Sequence, residues 1–284
     1  MQALHDVPAP AKLNLFLHIT GRRSDGYHLL QSVFVLIDWC DWLHFERRPH
    51  HSTITRQDLS APLPADDLCL RAARALQQAT GCSQGAHIAI DKRVPAQAGM
   101  GGGSSDAAST LLALNRLWNL RLTRVQLQTI GLSLGADVPF FLSGSTAWVE
   151  GIGDIICPFD LPQAAGLERF VVVKPEAGLD TKAIFSNPSL KRDSTHATIA
   201  DFVAAPKSFT RNDLQPVAKT LCPEVSQAID WLETKGLQGR MTGSGSAVFA
   251  AISHDVDLFD APAAWQVKIC DNLGLHPLAG WIRD

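Results

Sequence analysis

Pro95-Ala-Gln-Ala-Gly-Met-Gly-Gly-Gly-Ser-Ser-Asp-Ala-Ala108 sets Gly99, Gly101, Gly102, Gly103 and two serine hydroxyls directly ahead of a helical pattern. Behind it, Ala107, Ala108, Leu111, Leu112, Leu114 and Trp118 recur at helical spacing,. In front of it, Ala86 to Lys92 alternates through Ile88 and Ile90, which predicts a strand,. A glycine-rich joint between strand and helix lets backbone approach a ligand, and the unpaired amides and dipole of the helix start attract anions. The expected occupant is a phosphate chain held by Pro95, Ala96, Gln97, Ala98, Gly99, Met100, Gly101, Gly102, Gly103, Ser104 and Ser105,. A plain turn has no need of that glycine density.

Spacing rules out the commoner phosphate fingerprints. A Walker loop requires Gly-Lys, a dipeptide this chain lacks,. The dinucleotide pattern fails because Ser104 or Asp106 falls where its last glycine belongs,. The HRD and DFG elements of protein kinases are missing,.

Outward from the loop, Ala11 to Ile19 alternates, with Leu13, Leu15, Leu17 and Ile19 on one face and Lys12, Asn14, Phe16 and His18 on the other. This predicts a half-buried strand. Val33 to Phe45 reads as extended from its Val, Ile, Phe and Trp content,. Asp66 is the expected cap of a helix through Leu68, Ala72, Leu76 and Ala79 that stops at Gly81,. Thr123 with Gln126 reads as a capping box for a helix ending near Gly135, which leaves Asp137 in a turn before Pro139,. Farther on, Arg169 to Lys174 and Ser246 to Ile252 predict strands, Pro223 to Lys235 a helix, and Asn187 to Thr198 a surface loop,. The turn-rich segment Cys157 to Glu168 suggests a boundary between a domain at 1–160 and another at 161–284,.

Composition narrows the function. With 284 residues, 46% of them hydrophobic, the chain can build a substantial core,. The 25 basic and 28 acidic residues leave a net charge of −3, without the positive field a nucleic-acid binder uses,. No apolar run approaches the roughly 18 residues that span a bilayer, and the start MQALHDVPAP lacks the pattern of a leader,. A cytoplasmic enzyme without membrane attachment, nucleic-acid partner or obligate protein partner is expected. The six cysteines form no CxxC pair and the ten histidines no HExxH motif, so reduced thiols are expected and no metal site is named,.

Together these segments resemble the GHMP family of small-molecule kinases. Pro8 to Leu15, Pro95 to Ala108 and Met241-Thr-Gly-Ser-Gly-Ser-Ala-Val-Phe249 match its separated motifs in order across nearly the whole chain. Arg22-Arg-Ser-Asp-Gly-Tyr-His-Leu29, Gly135 to Phe140 and Asn212-Asp-Leu214 resemble the branch that acts on a cytidine-diphosphate methylerythritol, and Asp-Gly-Tyr-His is the most specific of these. The resemblance implies an α+β fold of two domains with the site in the cleft between them, ATP as phosphoryl donor, Mg²⁺, and phosphorylation of the substrate's 2-hydroxyl in non-mevalonate isoprenoid biosynthesis. It also implies Asp137 as the acceptor of the hydroxyl proton and Lys12 as the cation that keeps that carboxylate ionised, with Asn14 beside them at the substrate,.

Tyr27 and His28 offer a ring face and a hydrogen-bonding edge that suit a pyrimidine. The resemblance makes that base cytosine and Phe185 its second stacking ring,. Ser104 and Ser105 are read either as caps or as contacts to Mg²⁺ and phosphate, and Lys92 either as a phosphate partner or as a surface lysine,. Gln97 stands where the family has glycine, so either it accepts a strained positive φ or the loop takes another path,. The alternatives carried are a GHMP kinase for mevalonate, homoserine or a sugar, and a nucleotide-binding relative without catalysis.

Overall fold

The architecture is seen in a computed structural model that describes residues 1–162 and 165–282. Two long antiparallel strands, β1 (Ala3–Arg22) and β2 (His28–Arg48), meet at the turn that carries Asp25 to Tyr27. The alternation in β1 is real, but its second face is buried too: Lys12, Asn14 and Phe16 are 4%, 1% and 0% exposed. The expectation of a half-buried strand is corrected because β1 lies between two layers.

Irregularities in the β1–β2 register, one of them between Asn14 and Leu17, re-aim its side chains,. One strand thereby feeds three cores. Leu4, Val7 and Ala9 enter the first, Ala11, Leu13, Leu15 and Phe16 the second, and Leu17 and Ile19 the third. Its free edge is satisfied by loops: Lys12 N donates to Met100 O at 3.0 Å, Asn14 N to Thr242 Oγ1 at 2.9 Å, and Leu17 N to Arg211 O at 3.0 Å,.

After β3 (Ile54–Asp58), α1 (Leu68–Thr80) is capped by Asp67, whose carboxylate accepts from Leu70 N at 3.1 Å, and not by Asp66, which pairs with Arg74 at the surface. It stops at Gly81 as its sequence predicts. β4 (Gly85–Asp91) leads into the glycine run and α2 (Gly102–Leu117), which starts two residues before Ser104 because Gly101, at φ 70°, takes the cap position. α3 (Arg124–Leu132) has the Thr123–Gln126 capping box and ends at Leu132, short of Gly135. α4 (Val138–Ser143), β5 (Ala147–Glu150) and β6 (Ile155–Pro158) follow, pieces too short to leave a period in the sequence,. The first sheet runs β3-β4-β2-β5-β6, with β1 paired to β2.

The second sheet begins with β7 (Arg169–Lys174). Short helices α5 (Thr181–Ser186), α6 (Ile199–Ala204) and α7 (Gln215–Leu221) precede α8 (Pro223–Thr234), which packs on this sheet through Val225, Ala228, Ile229 and Leu232. β8 (Arg240–Met241), β9 (Val248–Ile252) and β10 (Gln266–Asp271) complete the order β10-β7-β9-β8. Helices packed against a second sheet that is antiparallel throughout and a first that is antiparallel except for the parallel β3–β4 pair make the fold α+β,. Within 187–198 the chain is irregular up to the start of α6, yet it is anchored: Ser194 N donates to Ile19 O at 2.9 Å and its hydroxyl to Asp213 at 2.6 Å. Among the described residues the cysteines are free thiols, and no helix is long and apolar enough to cross a membrane.

Candidate active site

The glycine run and the Met241–Phe249 segment are built against each other. Ser246 N donates to Gln97 O at 3.1 Å and Ala247 N to Ala98 O at 3.2 Å. A Cβ on Gly99 would lie 2.3 Å from Thr242 O, and one on Gly243 would lie 2.5 Å from Gly99 O, so any side chain at either position would push the loops apart,. The Asn212–Leu214 motif braces the same junction: Asn212 Nδ2 donates to Met241 O at 2.9 Å and to Gly243 O at 2.8 Å. Gln97 has φ 51°, so the glutamine bears the left-handed backbone expected of a glycine there,.

Every residue from Pro95 to Ser104 lines a cavity of about 570 Å³ that opens on the start of α2. The first-turn amides of Gly102, Gly103 and Ser104 have no acceptor inside the helix and face a ligand's position there,. Ser105 is placed differently. It is fully buried, its amide donates to Gly101 O at 2.9 Å, and its hydroxyl donates to Pro10 O at 2.7 Å, joining α2 to β1. Neither serine caps α2 through its side chain.

Lys92 is not a surface lysine. Its ammonium pairs with Asp41 and, at 2.6 Å, with Asp106 Oδ2. Despite burial, which favours the neutral amine, Asp106 and Asp41 hold Lys92 above its ordinary pKa,. Burial pushes the Asp106 carboxyl up to about 8 against the pull of Lys92, and the Asp41 charge adds to the rise. Asp41 Oδ1 also accepts from the amides of Arg93 and Val94 at 2.6 and 2.7 Å, which fixes the chain entering the glycine loop. Asp106 Oδ1, beside the cavity, is buried without a hydrogen-bond partner.

Lys12 and Asp137 come together from opposite ends of the first region. Asp137 is the residue before α4, in helical conformation, with no side-chain cap bond. Its Oδ2 lies 3.8 Å from Lys12 Nζ, too long for a direct hydrogen bond, so each group retains capacity for a third partner,. Lys12 Nζ also donates to Asn14 Oδ1 and stands 4.5 Å above the Phe34 ring,. Burial lowers the Lys12 pKa, and the Asp137 carboxylate opposes that fall. Asn14 is held by Ser32 Oγ, which accepts from its Nδ2 at 3.0 Å, and by Thr242. The expected residues Lys12, Asn14 and Asp137 therefore share one locus.

A second cavity, of about 650 Å³, is lined by Tyr27, His28, Phe185, Arg22, Ile152 and Lys182 among others, and Thr181 borders both cavities. The His28 and Phe185 rings touch at 5.1 Å between centroids, while Tyr27 is 60% exposed. The Lys12–Asp137 pair sits between the two spaces. A Cβ on Gly101, which lines the first, would meet Lys12 Cγ at 3.3 Å, and one on Gly153, next to Ile152 of the second, would meet Asp137 Oδ1 at 3.7 Å.

Sequence reasoning missed Ser32, Thr242, Asp41 and Asp106. Thr242 and Asp106 lay inside quoted motifs without a role, while the others lie in segments whose patterns carry no chemical signature. Among the described residues, no group of three or more His, Cys, Asp or Glu side chains is placed to hold a metal.

Comparison with known proteins agrees with this geometry. The family model described as GHMP kinases N terminal domain matches residues 67–145, and that described as GHMP kinases C terminal matches 197–266. Proteins named 4-diphosphocytidyl-2-C-methyl-D-erythritol kinase from Acidovorax ebreus (strain TPSY) and Paracidovorax citrulli (strain AAC00-1) are 71% and 70% identical, over 99% and 100% of this chain and 99% of each relative. A crystal structure of 4-(cytidine 5'-diphospho)-2C-methyl-D-erythritol kinase superposes with a TM-score of 0.75 at 30% identity, covering 93% of this chain and 98% of that one. Homoserine kinase from Cytophaga hutchinsonii shares the fold at 13% identity, with a TM-score of 0.70 over 96% of this chain and 95% of its own.

Proposed function

This chain belongs to the GHMP kinase family, and on that premise we propose that it transfers the γ-phosphoryl group of ATP to the 2-hydroxyl of 4-diphosphocytidyl-2-C-methyl-D-erythritol, giving the 2-phosphate and ADP. The observation that carries the reading is the Lys12–Asp137 pair between two cavities, one floored by helix-start amides and the other walled by aromatic rings. A phosphate chain enters from one side and a pyrimidine from the other, so the hydroxyl between them meets the carboxylate.

Asp137 accepts the hydroxyl proton as the oxygen attacks the γ-phosphorus and the bond to the β–γ bridging oxygen breaks, releasing ADP. Lys12, 3.8 Å from the Asp137 carboxylate, lends positive charge to the reacting oxygen,. Asn14 orients the Lys12 ammonium by accepting from it. The amides at the start of α2 hold the departing phosphates, and Tyr27 and Phe185 flank the base,.

Mg²⁺ would supply charge neutralisation on the phosphates. The partnerless Asp106 Oδ1 beside the first cavity fits a cation there,. Two domains, 1–160 and 161–284, a cytoplasmic location and a role without nucleic-acid, membrane or obligate protein partners complete the proposal. ADP release measured with the cytidine substrate, mevalonate, homoserine and galactose side by side tests it. Turnover of the cytidine compound alone is expected, and preferred turnover of another alcohol would overturn the substrate assignment.

A further inference from the structure

Arg192 lies in the irregular segment that follows α5, and its guanidinium is held on every side. Nη1 donates to Leu190 O at 2.9 Å, and Nη2 donates to Asn187 O at 2.8 Å and Phe185 O at 3.2 Å. Nε donates to His28 Nε2 at 3.0 Å, so four of the five guanidinium N–H groups are engaged,. No carboxylate pairs with Arg192 among the described residues. An arginine has donors and no acceptor, so the ring nitrogen facing it must be bare. A neutral imidazole with a bare Nε2 carries its proton on Nδ1. Nδ1 has no hydrogen-bond partner among the described residues, and the ring borders the second cavity.

On the reading that this cavity takes the cytosine of the substrate, we propose that Arg192 is a positioning residue for base selection, which fixes the His28 proton on Nδ1 and so makes His28 a permanent donor toward the base edge. The consequence follows from the bases themselves. Ring N3 of cytosine is an acceptor, whereas N3 of uracil carries a hydrogen. A donor fixed on His28 matches the first and opposes the second. A ring free to exchange tautomers would offer Nδ1 as donor to one base and acceptor to the other, and would barely separate them. Selection therefore resides in the Arg192–His28 contact as much as in the imidazole. Protonating the ring would set two cations 3.0 Å apart. Burial, Arg192 and Arg22 all lower the His28 pKa, which keeps it neutral,.

The test has two arms. Long-range ¹H–¹⁵N spectra of the substrate-free protein, with His28 signals assigned by their loss in His28→Gln, should show a protonated Nδ1 and a bare Nε2. In Arg192→Met both tautomers should be populated and His28 should titrate at higher pH. In the second arm, kcat/KM is measured for the cytidine substrate and its uridine analogue. The preference for cytidine should fall roughly tenfold in Arg192→Met and largely return in Arg192→Lys, which restores a donor. Loss of the loop anchors alone would weaken both analogues alike and leave their ratio unchanged, and that result overturns the proposal. So does a wild-type spectrum with the proton on Nε2, which decides the matter even if Arg192→Met does not fold. Turnover of neither analogue by the wild type would instead overturn the substrate assignment and the base-selecting role with it, while the spectra would still report whether Arg192 sets the ring proton.

Discussion

Asp137 carries a carboxylate that caps nothing and faces Lys12 across 3.8 Å, the arrangement expected of a base waiting for a third partner. Asp137→Asn should leave nucleotide affinity unchanged in equilibrium binding while cutting turnover by roughly 10² or more. Lys12→Ala should also lower turnover, and the double variant should be less impaired than the product of the single losses because the pair acts as a unit. Near-normal turnover of Asp137→Asn would remove it from the mechanism, and simple multiplication would show the two acting independently. Gln97 makes a separate case, since its φ of 51° is a glycine conformation borne by a side chain. Gln97→Gly should raise stability in urea unfolding by about 0.5–1 kcal/mol, and a loss would mean that side-chain contacts outweigh the strain. At this scale the sequence was legible only where a motif named the residue. Lys12 looks like any strand lysine and Arg192 like any loop arginine until the fold brings their partners within reach.

α2 shows what a motif conceals. The glycines and serines of its first turn read as a loop ahead of a helix, but Gly101 supplies the cap and the helix begins at once, which leaves the Ser105 hydroxyl to bond with Pro10 O. Ser109 repeats the link one turn later, donating to Pro8 O at 2.8 Å, so two hydroxyls anchor the helix along β1. Ser105→Ala strands a buried carbonyl and should lower stability by about 1–3 kcal/mol while shifting the ATP Michaelis constant little. Comparing unfolding curves with that constant tests it, and a large kinetic change at unchanged stability would give the hydroxyl back to the ligand. Elements with a sustained period, β1, β2, α1, α2 and α8, were readable from sequence. β3, β5, β6 and α4 were not, because four to six residues hold too few repeats and their placement comes from tertiary pairing,.

At the scale of the molecule, the C-terminal segment returns to close the first region. His276 N donates to Gly144 O at 2.7 Å just past α4, its Nδ1 accepts from Leu278 N at 3.0 Å, and the ring is 2% exposed. Burial, with Arg124 nearby, lowers its pKa from 6.5 to about 4. The folded state therefore favours the neutral ring, and the stability that depends on it is present above about pH 6.5 and drains as pH falls toward 4,. Between pH 7 and 5 the wild type should lose about 2 kcal/mol more than His276→Asn, which keeps an acceptor for Leu278 N but cannot take a charge. Equal losses in urea unfolding at the two pH values would show that His276 is not the group responsible. Nothing in the sequence marks this histidine, since its burial is set by chain returning from more than a hundred residues away.

β1 passes in turn through three cores, and along the stretch that feeds the second it sets down Lys12 and Asn14 beside Asp137. Because side chains alternate along a strand, adding or removing one residue inside it would turn every later side chain to the wrong face. An exchange of one apolar residue for another touches one core, whereas a change of length uncouples all of them from the site. The strand thus behaves as a ruler, and what heredity must copy faithfully in it is its count of residues more than their identity.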